Sequence, residues 1–235
     1  MPKLFTLGCS ITYPYGWKDV LADIIDYELV NSAMYASSNN LQVRRMHSLI
    51  ANNQVSEDDI IIWQVTGQMR HSYCFPPEEK KIRKLRLSQP KPMDERFLNT
   101  EYFIKSPVNY FDGNQHIDVL SNHPMTANAA DYYDFAQSLE EMLSTMSLLN
   151  KSYKILVFVG WPGALNDNRN NLDKFMQALA DHNIPHMPET MIDWIDGHNY
   201  KLDAEDPSGL HPTMESSEAY GANALRPKLR TLGWA

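Results

Sequence analysis

Two short stretches carry side chains that can do covalent chemistry: Ser10 in GCSIT and His211 in GLHPT. Ser10 follows an apolar run, Leu4 to Leu7, that Gly8 interrupts, and from Trp17 to Tyr27 apolar residues recur at helical spacing. A strand that stops at a glycine and turns into a helix places its turn residues at the carboxyl edge of a sheet, where open α/β sheets hold ligands. A hydroxyl there can act as a nucleophile, with unpaired backbone N–H groups beside it to receive an oxyanion. The same position also suits a helix cap or a plain turn residue, which needs no chemistry. His211 comes after the turn formers Asp206, Pro207, Ser208 and Gly209 and just before a helix expected to begin near Thr213. Glu215 and Glu218 stand in that helix's early turns, where carboxylates suit the helix dipole. A late βα loop brings this imidazole to the sheet edge that holds Ser10. There it can take a hydroxyl proton and return it to a leaving group. Taken alone, a histidine before a proline is as well explained by a loop residue with a satisfied hydrogen bond.

The elements that must position these two residues follow from periodicity. Trp17, Val20, Leu21, Ile24 and Ile25 make an amphipathic helix, and Leu29 to Met34 reads as a second strand. That strand runs into the small, polar cluster YASSNN, Tyr35 to Asn40. Leu41, Val43, Met46, Leu49 and Ile50 predict a helix ending around Asn52 and Asn53. Then comes IIIWQVTG, whose continuous apolar start at Ile60 to Trp63 fits a central strand buried on both faces. Three βα units in succession imply a parallel sheet. From 71 to 128 prolines at 76, 77, 90, 92, 107 and 124 break the pattern, and a basic patch, Lys80, Lys81, Arg83, Lys84 and Arg86, reads as a solvated face. A structureless loop of this length is unusual in a compact domain, so the segment reads as an insertion with structure of its own, suited to a lid or to docking a protein partner. Phe135, Leu139, Met142, Leu143, Met146 and Leu149 then stripe a long helix, Ile155 to Val159 form a fourth strand, and a helix starts at Asn166 and Asp167. IPHM, from Ile184 to Met187, is the expected fifth strand.

Composition narrows the function classes. The chain has 235 residues, 43% of them hydrophobic, enough for a single domain, 1–235, with a sizeable core and the 71–128 insertion. A net charge of −8 argues against nucleic acid as the main partner. The absence of a long apolar run or a signal-like start argues for a protein with no membrane contact, cytoplasmic or otherwise soluble, or carried on a virion. Two cysteines, Cys9 and Cys74, are too few for a disulfide framework, and Cys9 beside Ser10 reads as a buried structural thiol. His182 and His186 have a metal-like spacing, but Pro185 intervenes and nothing nearby completes a shell, so no metal is expected. No glycine-rich phosphate loop is present and no cofactor is expected.

In order along the chain, GCSIT, the SSN of YASSN, a buried third strand ending in a polar cluster, and SGLHPT resemble the blocks of the SGNH (GDSL-like) hydrolase family. The resemblance implies a three-layer α/β/α sandwich, flavodoxin-like, around a parallel sheet of about five strands. It also implies hydrolysis of an ester or acetyl group, on a small molecule, carbohydrate or lipid. By the same resemblance Ser10 is the nucleophile and His211 the base. The N–H groups of Ser10 and Ala36 feed the oxyanion hole, and Asn39 braces the second block. Three positions depart from the pattern. Cys9 stands where an aspartate is usual. The third-block asparagine is missing, with Thr66 aligned best and the amides of Gln64 and Gln68 nearby. Ser208 occupies the place of the acid three before the histidine, which leaves Asp206, then Glu205, or a backbone carbonyl to orient the imidazole. Losing one oxyanion donor costs about 2.7–4 kcal/mol of barrier. A catalytically silent module that binds a glycan or a protein, for example in a phage particle, is therefore the alternative expectation.

Overall fold

The computed structural model describes residues 1–12, 15–33, 37, 39–66, 72–75, 109–112, 130–165, 169–206 and 211–235. Strands β1 (Lys3–Leu7), β2 (Glu28–Asn31), β3 (Ile60–Val65) and the later Lys154–Val159 pair in parallel, in the spatial order β2, β1, β3, Lys154–Val159. Within 71–128 the described residues are two strands, β4 (Ser72–Phe75) and β5 (Asn109–Asp112), paired antiparallel. The rest of that insertion, including its basic patch, lies outside the described residues. Lys154–Val159 is accordingly β6.

Alternation along the strands sorts the sheet into two dry faces. Phe5, Leu7, Ile61, Trp63, Val65, Ile155, Val157 and Val159 face one way. They pack against Val43, Met46 and Leu49 of α2 (Asn39–Ala51), Met142 and Met146 of α3 (Ala130–Leu149), and Leu172, Phe175 and Leu179 of α4 (Arg169–Asp181). Leu4, Ile60, Ile62, Leu156 and Phe158 face the other way. They meet α1 (Trp17–Ile25), α5 (Met191–Gly197), α6 (Met214–Tyr220), a single π turn over Gly221–Leu225, and α7 (Arg226–Thr231). The result is a three-layer α/β/α sandwich. All six β3 residues are buried, as its unbroken apolar start requires. No described helix is long and apolar enough to cross a membrane.

The sheet differs from the expected strand count. The IPHM segment supplies a single parallel bridge, Val157 to His186, made by Val157 N–H to the Pro185 carbonyl (2.9 Å) and Met187 N–H to the Val157 carbonyl (2.9 Å). Pro185 has no N–H to extend the ladder, and Thr190 then caps α5, its hydroxyl accepting from Asp193 N–H at 3.1 Å. So the described sheet has four full strands and a vestigial fifth.

What matters for the site is how the two ends of the chain are locked together. The π turn packs directly on the start of α1, where a Cβ on Gly221 would stand 2.4 Å from the Trp17 carbonyl oxygen. Trp17 N–H donates to the Ser217 hydroxyl at 3.3 Å, and the Trp17 ring meets Phe158 edge-on at 5.5 Å. Tyr220 completes this aromatic cluster against Phe158 and Trp194. Burial, with Glu189 adding to it, pushes the Tyr220 phenol well above its usual range, so it stays protonated. Among the described residues its buried hydroxyl has no hydrogen-bond partner. An unmade buried hydrogen bond is a standing cost, so Tyr220→Phe is expected to leave the urea midpoint unchanged or raise stability by up to about 1 kcal/mol.

Candidate active site

Strand β1 lies between β2 and β3, so the chain leaves its carboxyl end where the direction of winding reverses, the place where open α/β sheets bind ligands. There it makes a tight turn, Cys9 to Thr12, closed by Thr12 N–H to the Cys9 carbonyl at 2.9 Å. Ser10 is at its half-buried crest. Among the described residues the Ser10 N–H meets no acceptor, so it is available to an incoming oxygen.

His211 reaches the same point from the far end of the chain. Its loop is pinned by backbone pairing of Lys201–Asp203 with 211–213. Asp203 N–H donates to the His211 carbonyl (2.8 Å) and Thr213 N–H to the Lys201 carbonyl (3.2 Å). Thr213 then caps α6 by accepting from Ser216 N–H at 3.2 Å. The structure puts His211 Nε2 2.7 Å from Ser10 Oγ. On the other side of the ring, Nδ1 is 2.9 Å from Asp206 Oδ2, and that same oxygen accepts the His211 backbone N–H at 3.2 Å. A carboxylate on Nδ1 fixes the tautomer that leaves Nε2 as the acceptor facing the hydroxyl. A proton can therefore pass from Ser10 to His211 while Asp206 balances the imidazolium. The Tyr15 ring lies nearly parallel to the imidazole (19°), with centroids 5.9 Å apart. Nothing in the spacing of the sequence indicates that stacking.

The remaining expected site residues are placed as follows. Ala36, Gln68 and Ser208 lie outside the described residues. Asn39 and Thr66 are buried and hold each other: Thr66 N–H donates to Asn39 Oδ1 (2.9 Å), and Asn39 Nδ2 donates to the Thr66 carbonyl (3.1 Å). The Thr66 hydroxyl donates to the Ser37 carbonyl at 2.8 Å. Both Thr66 donors are thus spent on bracing, which corrects the expectation of Thr66 as an oxyanion donor. Gln64 lies beneath the Ser10 turn, its Oε1 accepting from Cys9 N–H (3.0 Å) and the Thr12 hydroxyl (2.7 Å). Cys9 is fully buried. His186 Nδ1 lies 2.8 Å from the Ile184 carbonyl, and among the described residues no three His, Cys, Asp or Glu side chains gather as a metal site.

No protein-family model matches the sequence, and no curated protein matches it. Solved structures do. TesA aligns at a TM-score of 0.56 and 13% identity, over 98% of this chain and 99% of its own. The psychrotrophic esterase EstA from Pseudoalteromonas sp., solved inhibited by monoethylphosphonate, aligns at 0.52 and 12%, over 99% and 98%. A variant of Axe2, an acetyl xylan esterase from Geobacillus stearothermophilus, aligns at 0.52 and 11%, over 97% and 94%. A G-D-S-L family lipolytic protein from Veillonella parvula aligns at 0.53 and 14%. The chain has the fold of the GDSL-type, or SGNH, hydrolases. Within that fold it is a divergent example, with Cys9 before the serine and Thr66 turned inward.

Proposed function

We propose that this protein is a serine-dependent acyl ester hydrolase acting on a short acyl group, its substrates being acetyl esters of a small molecule or carbohydrate. Ser10 Oγ attacks the carbonyl carbon as its proton moves to His211 Nε2. The oxyanion is received by the N–H of Ser10 and, by the resemblance, that of Ala36. Collapse of the tetrahedral intermediate expels the alcohol, which takes the proton from Nε2. Water, deprotonated by the same nitrogen, then releases the acid and restores Ser10. Asp206 holds the imidazole in register throughout. The observation that carries this reading is the 2.7 Å approach of His211 Nε2 to Ser10 Oγ with Asp206 on the opposite ring nitrogen. That the fold is shared with esterases that include an acetyl xylan esterase supports the choice of acyl group.

The test pairs a small aryl acetate with a serine-directed phosphonate. Turnover of the acetate is expected, together with a phosphonate mass on the peptide bearing Ser10 and suppression of labelling in His211→Ala. No adduct and no hydrolysis across a series of acyl esters would sink the reading. That result would favour a binding module on the same fold, for which the spent Thr66 donors are the motivating observation. A hole short of one donor implies a rate about 10²–10³ below that of a fully equipped site, so the assay needs enzyme in the micromolar range.

A further inference from the structure

We propose that Gln64 is a positioning residue for Ser10, a proposal that rests on the serine-hydrolase reading above. Gln64 shares a face of β3 with Ile60 and Ile62, where an apolar side chain would ordinarily complete the core, yet it is fully buried. A buried amide is costly unless its hydrogen bonds are made. Among the described residues they all go to the nucleophile's turn. Oε1 takes Cys9 N–H at 3.0 Å and the Thr12 hydroxyl at 2.7 Å, which are the two ends of the turn, and Nε2 donates to Cys9 Sγ at 3.2 Å.

The amide is also gripped from both sides by glycines. A Cβ on Gly8 would stand 2.5 Å from Gln64 Oε1, and one on Gly160 would stand 2.7 Å from Nε2. The ends of β1 and β6 thus approach this one side chain so closely that a larger residue than glycine at either position would collide with it. Tying down Cys9 N–H sets the direction of the next peptide, and with it both the Ser10 N–H and the Ser10 Cβ. One amide fixes the nucleophile and an oxyanion donor together. Because it has no exposed surface, it acts through the turn and never touches substrate.

Two variants separate positioning from filling space. Gln64→Met keeps the length and volume but offers no acceptor to Cys9 N–H or Thr12. Gln64→Glu, buried and therefore neutral, supplies an acceptor and a donor in the places the amide used. For an aryl acetate, the Met variant is expected to lose about 100-fold in kcat, the scale of a misplaced reacting group, with KM within about twofold. Phosphonate capture of Ser10 slows in parallel, and the Cys9 amide loses its protection from hydrogen exchange. The Glu variant stays within about threefold of the parent, because its hydrogen bonds are equivalent. A folded Met variant with parental kcat, or Met and Glu variants that fall alike, overturns the proposal. If the parent itself neither turns over ester nor takes up phosphonate, the hydrolase reading fails and Gln64 has no reaction to serve. Cys9 exchange then still reports whether the amide holds the turn, so the two failures are told apart.

Discussion

Alanine at position 10 is expected to lower ester turnover by at least about 10⁴-fold, alanine at 211 by a similar factor, and the double variant by no more than either alone. The reason is that the two side chains form one device. The hydroxyl is a poor nucleophile unless its proton has somewhere to go, and the imidazole at 2.7 Å has nothing to activate once the hydroxyl is gone. Each single change removes the whole proton path, so the losses do not add. What survives is the catalysis that positioned donors give to water, about 10³-fold over solution in fully equipped hydrolases. The Ser10 change is clean, because the turn is closed by the Thr12–Cys9 backbone bond and held by Gln64, none of which uses the Ser10 side chain. Steady-state rates on an aryl acetate, with thermal melts to show that the variants fold, make the comparison. A Ser10→Ala protein with more than a tenth of parental turnover, or a double variant that loses the product of the single losses, is incompatible with the pair acting as a unit.

Much of the scaffold could be read in the sequence because its signals are strong and local. The β1 run, the Ile60–Val65 strand and, on α3, Met142, Met146 and Leu149 each declare their burial through spacing alone, and the structure buries them as expected. The short α5 leaves little signal in the sequence. It is seven residues long, and Met191, Ile192, Trp194 and Ile195 are too brief a pattern to stand out from a buried loop. The IPHM segment forms less than the expected fifth strand, since an apolar run with a proline inside it can offer one bridge without becoming a ladder.

At the site, residue types were easier to read than directions. Thr66 stands one residue past β3, so strand alternation no longer fixes where its hydroxyl goes. The choice falls to Asn39 and Ser37, which are distant in sequence. Asp206 was one candidate among several because the acid's usual place holds Ser208. What selects Asp206 is the return of the loop through the Lys201–Asp203 pairing, a tertiary event that leaves no mark in the local pattern. Of the two glycines around Gln64, Gly8 reads in the sequence as the interruption of a strand, and Gly160 directly follows β6. That both make room for one amide needed the sheet order, which sets β3 between β1 and β6.

Asp206 is the test of how the histidine is oriented, and asparagine is expected to be the milder substitution. In a Ser-His-Asp triad an amide in this place can impose the wrong tautomer on the ring, at a cost of about 10⁴ in kcat. Here the oxygen that meets Nδ1 at 2.9 Å also accepts the His211 backbone N–H at 3.2 Å. That N–H is a fixed donor and would repel an NH₂, so it selects the carbonyl oxygen of an asparagine for the position. The tautomer survives, and only the charge that balances the imidazolium is lost. Since charge-assisted hydrogen bonds are roughly twice as strong as neutral ones, the expected loss is about 10–100-fold in kcat for Asp206→Asn. Asp206→Ala removes the oxygen altogether, takes this acceptor from both Nδ1 and the backbone N–H, and is expected to cost about 10⁴. KM should hardly move in either case, because Asp206 acts through His211. Rates measured side by side decide the matter: equal and severe losses for Asn and Ala would mean that the backbone N–H does not choose the oxygen. Equal and slight losses would mean that the imidazole is oriented by something other than Asp206.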